Sequence, residues 1–263
     1  MKKDNLEEPV YWVNEPQMRT PNYDIYKIIP LRFFLKWVES KKIRFDQIVK
    51  WEADVYELFL FKQKYYSQVN GQTLPVDMNA VNHAIYGQSW SLQKESDALW
   101  RIYSPEFLSV KIHTTTGKLI EEMQKCALSN SHWLAYMGRV KYYSMKGLQN
   151  QMAQYHKNGV SNETTMVYSL FDKRTALSFE KEFRIVILQA TQTQPGNNKV
   201  SLPIYPFIQL DMNPVDFIDE VVFDYRLDDN LFNGMKCCLQ KILPKVSINR
   251  SSLGKFTPKS YNI

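Results

Sequence analysis

Short strand-like runs alternate irregularly with helical segments along this chain, and this order limits the possible folds more than any other feature. "NYDIYKII" (22–29) has the β-branched and aromatic content of a strand, and "LRFFLKWVES" (31–40) has helical spacing. Later strand-like runs are "HAIYGQSWS", "FLSVKIHTTT" and "FIDEVVFDY". Because strands and helices do not alternate regularly, the sequence predicts an α+β fold rather than a doubly wound one. We expect a single domain with a mixed, mainly antiparallel central sheet of short strands and flanking helices.

The predicted domain covers residues 22–255, with an N-terminal extension over 1–21 and a C-terminal tail over 256–263. The 263 residues suffice for a large core, and a content of 44% hydrophobic and 14% aromatic residues excludes disorder for most of the chain. A formal net charge of +6 does not identify a nucleic-acid binder, but it is compatible with anionic ligands.

The chain shows no sequence signal for export or membrane insertion. Its start, "MKKDNLEEPVYWV", has no apolar run of signal-peptide length, and no later segment approaches the roughly 20 apolar residues of a membrane helix. The three cysteines, of which Cys237 and Cys238 are adjacent, fit free thiols in a reducing compartment. We therefore expect a cytoplasmic protein without a membrane partner.

The stretch "LSFEKEFRIVIL" (Leu177 to Leu188) carries the most informative charges. If all of it is a strand, Glu180, Glu182 and Arg184 share one face, and the opposite face is apolar. We predict an interior strand with Phe183 and Ile185 buried. The charged face has two open interpretations. It is either a solvated surface, or a pocket in which Arg184 keeps one carboxylate ionised while burial raises the pKa of the other.

A short helix is predicted in "ESDALWRIYSP", where Ser96 is a good N-cap and Pro105 prevents continuation. Trp100 and Tyr103 fall on one side of it, with Arg101 on the flank. The aromatic residues fit either core packing or a ligand site, and the guanidinium could hold a phosphate or carboxylate. We expect Arg101 to lie within reach of Glu180 or Glu182 if these residues form one site.

No metal is expected. Glu52, Asp54 and Glu57 lie in "WEADVYELFLFKQKYY" (51–66), which we interpret as a helix with these acids on its solvated edge rather than in a metal cage. The four histidines lack zinc-site spacing. Motifs of serine hydrolases, P-loop proteins and dinucleotide-binding folds are absent from the sequence.

Two long motifs resemble a bacterial family described as domain of unknown function two-nine-seven-one. They are "GQSWSLQKESDALWRIYS" and "FDKRTALSFEKEFRIVI", and they are followed by "DEVVFDYR" and "VSINRSSL". With the weaker "YK" and "WEADVYE" elements near the front, the resemblance spans about Tyr26 to Leu253. It implies a common fold and brings no established activity.

The order of these elements is also similar to that of ADP-ribosyltransferases, which use NAD. In them, a basic residue on the first strand holds a phosphate, serines on the second strand brace the site, and a late glutamate supports an oxocarbenium-like centre. By this resemblance Lys27 would contact phosphate, Ser89 and Ser91 would brace the site, Glu182 would be the catalytic carboxylate, and Glu180 would orient the acceptor. Lys27 occupies the position on the first strand where ADP-ribosyltransferases usually have arginine or histidine.

The sequence therefore favours an enzyme that transfers ADP-ribose from NAD or hydrolyses NAD, with a protein or nucleic acid as a possible acceptor and a role of the defence or toxin kind. Two alternatives remain open: a non-enzymatic module that binds a nucleotide or another anion, and a metal-dependent nuclease that uses the two glutamates. For the enzyme, Glu182→Gln should lower turnover by ~100-fold or more with little loss of stability.

Overall fold

The computed structural model describes residues 10–15, 22–51, 54–76, 82–129, 133–158, 163–189, 192–193, 199–200 and 205–255. The strands, in chain order, are β1 (Val10–Val13), β2 (Asp24–Pro30), β3 (Lys42–Gln47), β4 (Tyr65–Val69), β5 (Gln72–Val76), β6 (Ile85–Ser91), β7 (Ser109–Thr115), β8 (Trp133–Arg139), β9 (Lys141–Tyr143), β10 (Asp172–Arg174), β11 (Glu182–Gln189), β12 (Gln192–Thr193), β13 (Lys199–Val200), β14 (Phe207–Asp211), β15 (Glu220–Phe223) and β16 (Ser247–Arg250).

The α-helices are α1 (Leu31–Ser40), α2 (Asp97–Tyr103), α3 (Thr116–Ser129), α4 (Met145–Asn158), α5 (Glu163–Ser169), α6 (Pro214–Phe217) and α7 (Asp229–Ile242). Strand pairs are mostly antiparallel, and β1 with β8, β9 with β10 and β15 with β16 are parallel. The predicted α+β class with a mixed, mainly antiparallel sheet is confirmed.

The chain divides into two compact units, which we describe separately. Unit 1 comprises Met1–Pro21, Ile43–Trp90 and Ile120–Leu210, and unit 2 comprises Asn22–Lys42, Ser91–Leu119 and Asp211–Ile263. The predicted domain boundaries remain a proposal. Within the predicted extension, β1 is an integral strand of unit 1, because it pairs with β8.

The sheet of unit 1 has β11 between β8 and β6, with β1 beyond β8, while β3 pairs with β6 and with β14. Seven of the eight residues of β11 are buried, and Phe183 and Ile185 have no exposed surface. This confirms the predicted interior strand. The sequence of a strand that is buried on both faces is a nearly continuous apolar run. The few charged side chains in it need partners inside the protein.

The alternating pattern predicts a strand that begins at Leu177, but the strand begins later in the structure. Thr175–Glu180 forms a 3-10 helix, and Lys181 ends it with a φ of 43°, so the strand starts only at Glu182. Phe179, predicted to share a face with Phe183, is therefore 38% exposed. Alternation of polar and apolar residues over four positions does not distinguish a strand from a tight helical turn.

The segment "WEADVYELFLFKQKYY" is not the predicted helix. Residues 54–62 form successive turns, and β4 follows from Tyr65. Leu58, Phe59, Leu60 and Phe61 all enter the core of unit 1, which they share with residues of α4, α5 and β11. Four consecutive apolar residues cannot all lie on one helical face, so the chain turns to bury them together.

Gly138 on β8 lies in continuous register with Arg184 on β11 and with Val13 on β1. A Cβ atom there would lie 1.8 Å from the Val13 carbonyl oxygen. The glycine therefore permits the close approach of β1, and it inserts no extra residue in the strand.

Unit 2 has the strand order β2, β7, β15 and β16. The predicted helix "LRFFLKWVES" forms as α1, with Phe34 and Trp37 buried. The predicted N-cap of α2 is confirmed, since the Ser96 hydroxyl accepts a hydrogen bond from the Leu99 N–H at 3.3 Å. Among the described residues, no helix combines the length and the apolar character that a membrane crossing requires.

Candidate functional site

A buried cluster of charged side chains lies at the start of β11 in unit 1. Strand β11 supplies Glu182 and Arg184, which are two residues apart and therefore point to the same face of the strand. Lys173 comes from β10, Glu180 from the end of the 3-10 helix, and Glu57 from the turns that precede β4. We call these five residues the charge cluster.

Glu182 lies at the centre of the charge cluster and is 5% exposed. Its Oε1 accepts the Arg184 Nε–H at 2.8 Å, and its Oε2 accepts Lys173 Nζ at 3.1 Å. The side chain of Ser89, on the neighbouring strand β6, gives a further hydrogen bond. Burial alone would raise the pKa of Glu182, but the two cations lower it to about 2. This carboxylate is therefore ionised at any physiological pH.

Arg184 is 2% exposed and holds two carboxylates at once. Besides Glu182, its Nη2 contacts Glu57 Oε1 at 2.5 Å, its Nη1 donates to the Leu170 carbonyl oxygen, and its guanidinium lies 4.6 Å from the centre of the Trp51 ring. Burial would lower the pKa of Arg184, but the charges of Glu182 and Glu57 raise it above the ordinary arginine value. The predicted role of Arg184 in substrate binding stays a prediction, and in the structure its guanidinium contacts the carboxylates of Glu57 and Glu182.

Lys173 links all three glutamates of the charge cluster. Its Nζ lies 2.8 Å from Glu180 Oε2, 3.1 Å from Glu182 Oε2 and 3.4 Å from Glu57 Oε2. The negative charges around it raise its pKa despite burial. The left-handed backbone at Lys181 turns the chain between Glu180 and Glu182, so both carboxylates reach the same ammonium group even though only one of them is on the strand.

The charge cluster has more negative than positive groups. Among the described residues, three carboxylates surround one ammonium and one guanidinium, so the cluster counts three negative groups against two positive ones. The neighbouring pair of Arg174 and Asp54, 2.9 Å apart, is neutral and does not change this sum. Glu180 is the most accessible of the three acids, with 13% of its side chain exposed against 7% for Glu57 and 5% for Glu182.

Tyrosines border the charge cluster. The Tyr142 hydroxyl accepts the backbone N–H of Glu182 at 2.8 Å, and burial raises its pKa to about 12. On the other face of β10, Asp172 accepts a hydrogen bond from the Tyr155 hydroxyl at 2.7 Å, and burial raises the pKa of this carboxyl group to about 6. Two nearby carboxyl groups, Asp172 and Glu182, thus have pKa values shifted in opposite directions.

The structure brings together four of the predicted site residues in unit 1, namely Glu180, Glu182, Arg184 and Ser89. The other predicted residues belong to unit 2: Lys27, Ser91, Trp100, Arg101 and Tyr103. Trp100 has no exposed surface, as core packing predicts. Arg101 forms an exposed ion pair with Asp97 one turn earlier, at 2.6 Å. The predicted approach of Arg101 to the glutamates stays a prediction.

Sequence reasoning missed two members of the charge cluster, Glu57 and Lys173. Glu57 and Asp54 were assigned to a solvated helix edge, yet they are 7% and 5% exposed because they bind Arg184 and Arg174. Lys173 received no role, although it precedes Glu182 by only nine residues. Glu52 lies outside the described residues. The available signal was the motif "FDKRTALSFEKEFR" itself, which combines two lysines, two arginines and two glutamates with few polar neutral residues.

Burial also changes the expected stability of a Glu182 variant. The sequence predicts little loss for Glu182→Gln, because a charged pair in a pocket is seldom optimal for folding. Because Arg184 and Lys173 share Glu182 as a partner, its neutralisation removes a charged hydrogen-bond acceptor from both buried cations. We now expect a measurable loss of stability, so the activity of this variant has to be measured together with its folding.

No family model matches the chain, so membership in the family of unknown function is not confirmed. No curated protein matches it either. Two solved structures of DarT from Thermus sp. 2.9 are similar at 8% identity.

One, in complex with NAD+, has a TM-score of 0.34 over 87% of this chain and 94% of that one. The other, in complex with ADP-ribosylated ssDNA, has a TM-score of 0.35 over 89% and 98%. A likeness this distant carries no argument about activity. Within the described residues, no group of three or more His, Cys, Asp or Glu side chains is arranged to hold a metal ion.

Proposed function

We propose that unit 1 carries the catalytic centre of an enzyme that breaks the bond between nicotinamide and ribose in NAD and passes ADP-ribose to an acceptor or to water. The observation that carries this proposal is the fixed carboxylate of Glu182, which Arg184, Lys173 and Ser89 hold in the ionised form. The order of sequence motifs, similar to that of ADP-ribosyltransferases, supports it independently.

The charge cluster suits this reaction because positive charge develops on the sugar. As the C1′–N bond of the nicotinamide riboside breaks, its electron pair goes to the pyridinium nitrogen and releases neutral nicotinamide. The ribose becomes oxocarbenium-like, and a fixed carboxylate nearby stabilises it more than it stabilises the ground state. An oxygen of the acceptor or of water then forms the new bond to C1′, and its proton passes to solvent.

The roles of the two glutamates differ in this proposal. Glu182 supplies a permanent negative charge and transfers no proton, because a carboxylate with a pKa of about 2 is a weak base. Glu180 contacts Lys173 at 2.8 Å and is the more exposed acid, so it orients the acceptor. Arg184, Lys173 and Ser89 hold Glu182 in place.

The other predicted substrate residues lie in unit 2, and their roles rest on the sequence alone. Lys27 and Arg101 would contact phosphates of the substrate. The remaining predicted substrate residues are Ser91, Trp100 and Tyr103, of which Trp100 would contribute by packing alone. A cytoplasmic location and a role of the defence or toxin kind are also proposed on the sequence pattern. The acceptor is a protein or a nucleic acid.

An NAD consumption assay tests the proposed function. The full chain is incubated with NAD, and nicotinamide is quantified by chromatography, first alone and then with denatured protein or single-stranded DNA as acceptor. The account predicts release that depends on time and on protein concentration. A non-enzymatic binding module would instead bind NAD without releasing nicotinamide. Binding without release, or neither binding nor release, contradicts the proposal.

A further inference from the structure

A second concentration of charge lies entirely within unit 2, in an open cavity of about 440 Å³. Its floor is formed by three adjacent strands, because Val222 on β15 pairs with Lys111 on β7 and with Asn249 on β16. Helix α7 provides one wall through Phe232 and Lys236, which are one turn apart. The loop before α2 and the segment after β16 provide the others.

The cavity is strongly basic. Among the described residues, five cationic side chains line it against two carboxylates. Both acids already have partners within the cavity wall: Glu95 accepts the Ser251 hydroxyl at 2.8 Å, and Glu220 accepts the Asn249 amide at 2.8 Å. The cationic residues are Lys94, Lys111, Lys236, Arg250 and Lys255.

Two of the five cations are fixed by contacts to the protein. Lys111 is 4% exposed, and its ammonium group donates to the Lys94 carbonyl oxygen at 2.5 Å and to Glu95. Arg250 binds Asp229 and the Leu227 carbonyl oxygen. Burial of Lys111 lowers its pKa to about 8, and a bound anion would reverse this shift.

The other three cations remain available to a ligand. Within the part of the chain that the structure describes, no carboxylate lies at ion-pairing distance from Lys94, Lys236 or Lys255. Lys236 has a weaker contact, with its Nζ 5.9 Å from the centre of the Phe232 ring. Three like charges around one cavity repel each other unless an anion lies between them.

We propose that this cavity binds a small molecule with two adjacent phosphoryl groups. A diphosphate carries enough negative charge and enough acceptor oxygens for three ammonium groups. The Ser252 hydroxyl at the rim is one more hydrogen-bonding group. The cavity volume lies within the range of roughly 300–1,000 Å³ that small-molecule sites occupy. The proposal does not rest on NAD chemistry in unit 1.

Calorimetric titration with inorganic pyrophosphate and with ADP tests this site. The test variant is Lys94→Gln with Lys236→Gln, which removes two available cations. The control variant is Lys36→Gln with Lys245→Gln, which removes the same charge from exposed positions of unit 2 outside the cavity. Thermal unfolding shows whether each variant folds, and a single Lys236→Gln variant replaces the double one if it does not.

We expect both ligands to bind the unmodified chain, and the test variant to bind them at least tenfold more weakly, with less than a twofold change in the control. Equal losses in both variants would show diffuse charge attraction and overturn the proposal. No binding of either ligand would also overturn it. Binding of a single-stranded oligonucleotide without binding of ADP would assign the surface to nucleic acid and contradict the small-molecule site.

Discussion

The charge cluster of unit 1 and the basic cavity of unit 2 use charge in opposite ways. In the cluster, each cation binds two or three carboxylates and no member is more than 13% exposed. In the cavity, three lysines lie around open space without a carboxylate partner among the described residues. The burial of a charge requires partners within the protein, whereas an open charge can stay available for a ligand.

This difference predicts which property each substitution changes. A residue of the cluster is bonded to several others, so its loss leaves buried charges without partners and lowers stability first. A lysine of the cavity wall is solvated, so its loss changes affinity and leaves the folded state nearly as stable.

The largest effect is expected for Arg184→Leu. This substitution leaves Glu57 and Glu182 with Lys173 as their only remaining cation in the cluster. Removal of one partner of a buried ion pair destabilises proteins by about 3–5 kcal/mol. Urea unfolding should show a loss of this size for Arg184→Leu and a change within about 0.5 kcal/mol for Lys236→Gln. Equal effects of the two substitutions would remove the distinction between cluster and cavity.

A smaller and pH-dependent effect is expected for Asp172→Asn. Burial raises the pKa of Asp172 from 3.8 to about 6, so between these values the folded state binds more protons and stability falls as pH rises. The amide keeps an acceptor for the Tyr155 hydroxyl and does not ionise. The variant should therefore gain on the order of 2 kcal/mol relative to the unmodified chain between pH 4 and pH 8.

Unfolding free energies at pH 4, 6 and 8 measure this gain. Glu182 contributes the opposite slope at lower pH, because its pKa of about 2 lies below the ordinary 4.5 and its stabilisation is lost only as pH falls through that window. A constant difference between the Asp172→Asn variant and the unmodified chain at all three pH values would show that Asp172 ionises normally.

The smallest effect is expected for Lys181→Gly. Lys181 has a φ of 43°, which costs a side-chain-bearing residue about 1 kcal/mol, and glycine adopts this conformation freely. Because glycine also gains freedom in the unfolded chain, we expect a stability change below about 1 kcal/mol. A larger loss would show that the Lys181 side chain, and not only its backbone, holds Glu180 beside Glu182.

The sequence predicted elements that depend on local chemistry. The Ser96 cap and the buried Phe183 follow from spacing and capping rules that act within a few residues. The contact between Glu57 and Arg184 joins positions far apart in the chain, and no local pattern indicates it. The left-handed turn at Lys181 was also missed, because nothing in "FEKEF" resembles the glycine or asparagine expected at such a position.

The most direct test of the central claim is the rate of nicotinamide release by Glu182→Gln, measured beside its affinity for NAD and its unfolding midpoint. Glu121→Gln, an exposed glutamate of unit 1, is the matched control. If Glu182→Gln does not fold, Glu180→Gln replaces it, with a larger effect expected on transfer than on hydrolysis.

If Glu182 stabilises the developing positive charge, the folded variant should release nicotinamide ~100-fold more slowly, bind NAD almost unchanged and leave the control unaffected. A folded Glu182→Gln protein that turns over NAD as fast as the control would contradict the account and leave the cluster a purely structural element.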